Sequence, residues 1–374
     1  MKNIKTLLTA ALCMVAFCTY AQQLTKGVSK ELAAQRKANI SNVIYDLTFH
    51  IPGKPQQKIT GKNVITFDLK EKADVVLDFQ GEFDGNCTVI IRKGKNKKEK
   101  RKPVIATYQN EHIIIPNKLL VPGTNRVELN FTATDKALNR HQDYMYTLFV
   151  PDNARSCFPC FDQPDLRARY LTDIKAPAGW KTMTSDPCCP LPTSLYSFVA
   201  GNFYEKIGTR DGRPMRALYL ETDPDKVNQI DNVFDEVAAS LKWMEGYTGI
   251  ANPFGTEYGM VILPNFQFGG QENPGAIQFN DRRIFLDKNA TQEDKLNRTE
   301  LIAHMTAHLW FGDLVAPEWF EDLWAEELMA NFMASKITRR QFRGVDHDLN
   351  FLRTYQARAI AIDRTEGTHA IAQE

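Results

Sequence analysis

A period of two residues runs through the chain from about Asn42 to Phe203. Val43, Tyr45, Leu47, Phe49 and Ile51 alternate with other residues, as do Ile65, Phe67 and Leu69, and then Val75, Leu77 and Phe79. Cys87, Val89 and Ile91 continue the series, and so do Val127, Leu129 and Phe131. Successive strand side chains point to opposite faces, so such runs place one face on a core. Split by Gly, Pro and Asn turns, they predict an antiparallel β-sandwich-like or barrel-like domain.

After Phe203 the period changes. Thr222-Asp223-Pro224 predicts a helix start, with proline in the first turn. Val227, Ile230, Phe234, Val237, Leu241 and Met244 then follow helical spacing, and Gly246 and Gly249 end the run. Tyr258 to Leu263 reads as a short apolar strand. The stretch Gly269-Gly270-Gln271-Glu272-Asn273-Pro274-Gly275 follows, where glycines admit a close backbone approach. Thr291 with Asp294 can cap a helix, or Thr299 can start it later; that helix carries His304 and His308 and stops near Gly312. Pro317 is expected to open the next helix, carrying Glu327 to about Lys336. A further helix is expected over roughly Leu349 to Ile362. The fold class is therefore α+β, with a β domain over residues 22–205 and a second domain over 206–374.

Residues 1–21 stand outside this plan. Lys2 and Lys5 precede a mostly apolar run to Tyr20, and Thr19-Tyr20-Ala21 suits signal peptidase. The expectation is export to the periplasm or the extracellular space. Phe17 before Cys18 is a poor match to lipoprotein processing, and no later stretch is apolar enough to span a bilayer. The net charge of +1 gives no reason to expect nucleic acid as a partner. Between Arg92 and Lys102, eight of eleven positions are Lys or Arg. Without aromatic residues and between two strands, this run reads as a solvated hairpin. Five cysteines lie beyond the signal: Cys87, Cys157, Cys160, Cys188 and Cys189. Cys157 and Cys160 have metal or redox spacing. No second pair has that spacing, which favours packed thiols or one disulfide.

The chemistry concentrates on His304 and His308. Four apart on a helix, they share a face and can reach one metal ion. A carboxylate from the next helix, Glu327, would complete a zinc site with one open position. The catalytic form of this motif is His-Glu-x-x-His, with the glutamate as general base. Here that position is Met305.

The segment Glu300 to Met333, with His304, His308, Trp310-Phe311-Gly312, Pro317-Glu318-Trp319 and Glu327, resembles the zinc-helix region of the aminopeptidase N family of zinc metallopeptidases. Gly269 to Asn273 resembles the family's Gly-x-Met-Glu-Asn exopeptidase motif. Ala154-Arg155 through Cys160-Phe161-Asp162-Gln163-Pro164 and Ser197 to Gly201 resemble two markers of its β domain. The resemblance implies a thermolysin-like second domain that is C-terminally incomplete. It implies one zinc ion on His304, His308 and Glu327, with Glu272 as anchor for the free amino group of a peptide. It also implies a substrate strand bound along Gly269, Gly270, Gln271 and Asn273. Asp322 is the candidate to orient the histidines.

Three departures bear on activity. Met305 replaces the base, and a thioether cannot accept a proton. Glu326 is a neighbouring carboxylate, but its helix position is expected to point it away from the face of Glu327. The chain also ends before the family's oxyanion tyrosine, and Tyr355 comes too early to replace it. Val150 occupies a slot where relatives place a second amine anchor. The resemblance therefore implies a secreted aminopeptidase with impaired turnover, a non-catalytic zinc- and peptide-binding relative, or an inert fragment.

Overall fold

A computed structural model describes residues 24–93, 98–185, 189–255 and 257–368. The expected signal and Cys188 lie outside these residues. The first helix, α1 (Lys30–Asn39), starts at Ser29, whose hydroxyl accepts from Leu32 N at 3.2 Å. It leads directly into β1 (Ile40–His50).

The alternation seen in the sequence becomes a six-stranded sheet, ordered β11-β1-β2-β8-β4-β5. Its further members are β2 (Thr60–Leu69), β4 (Asn86–Lys93), β5 (Lys98–Ile105), β8 (Gly123–Thr132) and β11 (Ala168–Lys175). Tyr45, Leu47 and Phe49 are fully buried. Each such side chain contributes roughly 1.5–3 kcal/mol. One pairing departs from the antiparallel expectation: β1 and β11 run parallel, with Val43 opposite Ala168. The two ends of the basic run lie on β4 and β5, and residues 94–97 between them lie outside the described residues. On β5, Arg101 pairs with Glu128, and Glu99 pairs with Arg126 at 2.9 Å.

Two smaller sheets close the β region. One contains β3 (Val75–Asp78), β6 (Thr107–Gln109) and β7 (His112–Ile115); the other contains β9 (Leu138–Arg140), β10 (Tyr144–Thr147), β12 (Lys181–Thr184) and β13 (Phe198–Gly201). Aromatic rings join the layers: Phe49 lies 4.5 Å from Phe198, and Tyr170 stacks on Tyr196 at 4.3 Å. Cys87, Cys157 and Cys160 are buried thiols outside any disulfide, and the Cys189 thiol donates to the Pro253 carbonyl at 3.0 Å. Burial pushes the Cys157 and Cys160 thiols far up, which leaves them protonated and inert.

The second half begins with β14 (Tyr204–Arg210) and β15 (Arg213–Tyr219). With β16 (Tyr258–Leu263), β17 (Gly270–Gln271) and β18 (Ile277–Asn280) they form a five-stranded sheet ordered β14-β15-β16-β18-β17. Asp223 caps the first short helical turn, with Pro224 at its start. Helix α2 (Gln229–Thr248) then buries Ile230, Phe234, Val237, Leu241 and Met244 and ends at Gly249. The metal helix, α3 (Gln292–His308), has the expected Thr291–Asp294 capping box. Helix α4 (Leu323–Gln341) begins six residues after Pro317, preceded by a short 3-10 turn over Phe320–Asp322. Pro317 therefore does not open it, and it runs past Lys336. Helical structure resumes at His347 and continues to Asp363. Among the described residues, no helix is long and apolar enough to cross a membrane.

Candidate metal and peptide site

Helix α3 presents His304 and His308 on one face, and their Nε2 atoms lie 3.1 Å apart. Glu327, from α4, lies 3.4 Å from His304 Nε2 and 3.7 Å from His308 Nε2. Among the described residues this is the one group of three or more such donors that converge, all within 4.8 Å. Ligands at Zn–N distances of about 2.0–2.1 Å and tetrahedral angles stand roughly 3.3 Å apart, so the three donors fit a zinc ion.

The protonation states fit as well. Burial, then the neighbouring His304, pushes His308 down to about 3, so its imidazole is neutral and free to ligate. The hydrogen bond from His304, ahead of the opposing effect of burial, holds Glu327 below the usual carboxylate range. His308 Nδ1 lies 3.1 Å from the Phe311 carbonyl, which places the ring proton on that side and leaves Nε2 for the metal. Gly312 follows at φ 127°, where a Cβ would come 3.0 Å from His308 Nδ1. This turn ends the metal helix tightly against its own ligand.

A cavity of about 640 Å³ opens beside this group. Gly269, Gly270, Gln271 and Glu272 line one wall, His304, Met305, Glu326 and Glu327 another, and Val150, Pro151 and Leu195 of the β region a third. Asn273 is buried and donates to the Leu195 carbonyl at 2.9 Å, fixing the wall segment to the β region. Glu272 is buried, and burial pushes it up to about 7.

Met305 is buried at 4% exposure. A Cβ on Gly270 would meet Met305 Sδ at 2.8 Å and Cγ at 3.0 Å. The thioether therefore packs on the edge strand, and only glycine permits that approach.

Two expectations about orientation change. Glu326 does not point away. It lines the same cavity as Met305 and Glu327, and burial, then Glu272 and Glu327, pushes it up to about 8. The reason lies in the helix: Glu326 stands four residues before Ala330 and seven before Met333, on the buried stripe. Asp322 is exposed at the start of α4, His304 Nδ1 is buried without a partner among the described residues, and His308 Nδ1 meets the Phe311 carbonyl, so Asp322 orients neither histidine. Tyr355 also reaches the cavity, where its hydroxyl donates to Glu300 at 3.2 Å.

Sequence reasoning missed the loop that closes around His308. Gly312 N donates to Val315 O at 2.9 Å, Val315 N to Trp310 O at 3.0 Å, and Asp313 N to His308 O at 2.9 Å. Asp313 is fully buried beside it.

Residues 228–374 match the Peptidase family M1 domain, and residues 41–186 match the Peptidase M1 N-terminal domain. The chain belongs to peptidase family M1. It is 29% identical over 251 residues to an aminopeptidase N of Streptomyces lividans, covering 60% of this chain and 29% of that protein. It is 26% identical over 342 residues to a probable aminopeptidase 1 of Sulfurisphaera tokodaii, covering 80% and 42%. It is 30% identical over 206 residues to endoplasmic reticulum aminopeptidase 1 of Mus musculus, covering 50% and 22%. The matched part thus spans less than half the length of these relatives. Members of the family are generally zinc-dependent, in keeping with the three converging donors.

Proposed function

We propose that this chain holds a peptide by its free N-terminus beside a zinc ion carried on His304, His308 and Glu327, and that it has lost the general-base step at Met305. The position of Met305 carries this reading. Its side chain fills the space between the metal helix and the edge strand Gly270–Gln271, where proton transfer would be needed. A bound zinc ion supplies a Lewis acid and lowers the pKa of its water.

The residues of the chain do the rest. Ionised Glu272 accepts hydrogen bonds from the substrate ammonium, a charge-assisted contact that selects N-terminal residues. The edge strand at Gly269 and Gly270 offers backbone groups to an extended peptide as an added strand. Gln271 faces the first side chain, and Asn273 keeps the segment fixed to the β region. Met305 offers no lone pair basic enough to take a proton from water or return it to the leaving amine. The reading includes export through residues 1–21, and a division into domains at residues 22–205 and 206–374.

Calorimetric titration of the zinc-loaded protein tests this reading. A short peptide with a free N-terminus should bind, its N-acetylated form should not, and Glu272→Gln should lose the difference. Equal binding of both peptides would sink the amine anchor.

A second reading is favoured by Glu326, whose carboxyl lines the cavity beside Glu327. In it Glu326 takes over as base and turnover survives. Hydrolysis of an aminoacyl reporter that disappears in Glu326→Gln would select this reading. No hydrolysis by either protein would discard it.

A further inference from the structure

The Phe311–Val315 loop that orients His308 is held from across the molecule. Arg167, at the foot of β11, donates through Nη1 to the Leu314 carbonyl at 3.1 Å. Its Nε and Nη2 are buried and have no hydrogen-bond partner among the described residues. Asp313, the residue before Leu314, is fully buried, and neither of its carboxyl oxygens has a partner among the described residues. Burial lowers the Arg167 pKa, and Asp313 is the charge that most opposes this. A guanidinium of the β domain thus grips the loop at Leu314, next to a fully buried carboxyl of the loop itself, Asp313.

The connection to the metal ligand is short. Leu314 and Asp313 belong to the turn closed by Gly312 N to Val315 O and by Asp313 N to His308 O. The same turn carries the Phe311 carbonyl, 3.1 Å from His308 Nδ1. That carbonyl sets the tautomer of His308, and with it the direction of the Nε2 lone pair.

We infer that Arg167 of the β domain is a positioning residue for the metal ligand His308, acting through the Leu314 carbonyl and the Asp313 carboxyl on the loop that carries the Phe311 carbonyl. This inference rests on the metal reading above. It gives the β domain a role in metal affinity, so the metal centre is assembled across both domains.

The test is zinc affinity, read by competition with a chromophoric chelator, with thermal unfolding measured with and without zinc. Arg167→Met should weaken zinc binding about 10- to 100-fold, the range for loss of an outer-shell partner. It should also shrink the upward shift in Tm that zinc produces. Arg167→Lys keeps the charge but loses the fork, and should recover only part of the affinity. Asp313→Asn keeps the shape of the turn and should weaken zinc in the same direction, which preserves the test if Arg167→Met does not fold. Asp78→Asn, in the remote β-domain network, should lower Tm while leaving zinc affinity of the folded protein unchanged. Zinc affinity unchanged in Arg167→Met and in Asp313→Asn would overturn the inference and leave Arg167 a purely structural residue. Failure of the unmodified protein to bind zinc would overturn the metal reading and this inference with it.

Discussion

Two buried polar clusters in this chain are built in opposite ways. In the β domain, Asp78 accepts from both Arg36 terminal nitrogens, at 2.8 and 2.6 Å, and from Asp162 N at 2.8 Å. Burial alone would raise its pKa, but Arg36 and His112 outweigh that and hold it low. Asp162 in turn accepts from Thr193 at 2.6 Å and from Arg155 N at 3.0 Å, although burial still pushes it up to about 7. In the peptidase domain, Asp313 is as deeply buried, yet both its oxygens lack a partner among the described residues, as does His304 Nδ1. Glu272, Glu326 and Asp313 are all pushed upward, burial being the leading cause of each shift. Buried polar groups that hold one another specify a structure. Buried carboxyls gathered at a cavity with raised pKa values are candidates for a functional role.

The comparison can be broken at its strongest point first. Asp78→Asn leaves Arg36 as an uncompensated buried charge, since the pair is 3% and 0% exposed. Loss of about 3–5 kcal/mol of stability is expected in a denaturant titration. A loss below about 1 kcal/mol would show that the network is not the anchor described here. The metal cluster should behave in the reverse manner. His308→Ala should remove zinc binding and forfeit the ligand-linked stabilisation, about 2.7 kcal/mol at a free zinc concentration of 100 times Kd. The zinc-free stability should change far less, and thermal unfolding with and without chelator measures both.

The smallest effect is on pH. Glu272 titrates at about 7, raised chiefly by burial. Its ionised form is the one that holds an ammonium, so peptide binding should fall about tenfold one unit below 7, and decline again as the peptide amine deprotonates near about 7.7–8.0. The sign for stability is opposite. A carboxyl whose folded pKa is raised contributes stability that is complete below about 4.3 and lost as pH rises through 7. A flat binding profile between pH 5.5 and 8 would remove Glu272 from the anchor role.

Much of the fold was legible because burial leaves a period in the sequence. The β1, β2 and β8 runs, and the α2 stripe, report one buried face each. The parallel pairing of β1 with β11 was not legible, since it joins segments more than a hundred residues apart and no local pattern encodes which strand becomes the neighbour. At the site, His304, His308 and Glu327 were legible from spacing and family likeness. The inward placement of Glu326 follows from its spacing to Ala330 and Met333, which its position next to Glu327 does not reveal. The hold of Arg167 on Leu314 spans 147 positions. The Phe311 carbonyl that orients His308 is backbone, which no side-chain motif reveals.

The central claim is that water activation fails at Met305 while the metal and amine sites remain. Hydrolysis of an aminoacyl reporter by the zinc-loaded protein, compared with its Met305→Glu variant, tests it most directly. The unmodified protein should stay at the level of a metal-free control, and the variant should rise above it by about 10² to 10⁴. Zinc-dependent hydrolysis by the unmodified protein at the rate of the variant would contradict it.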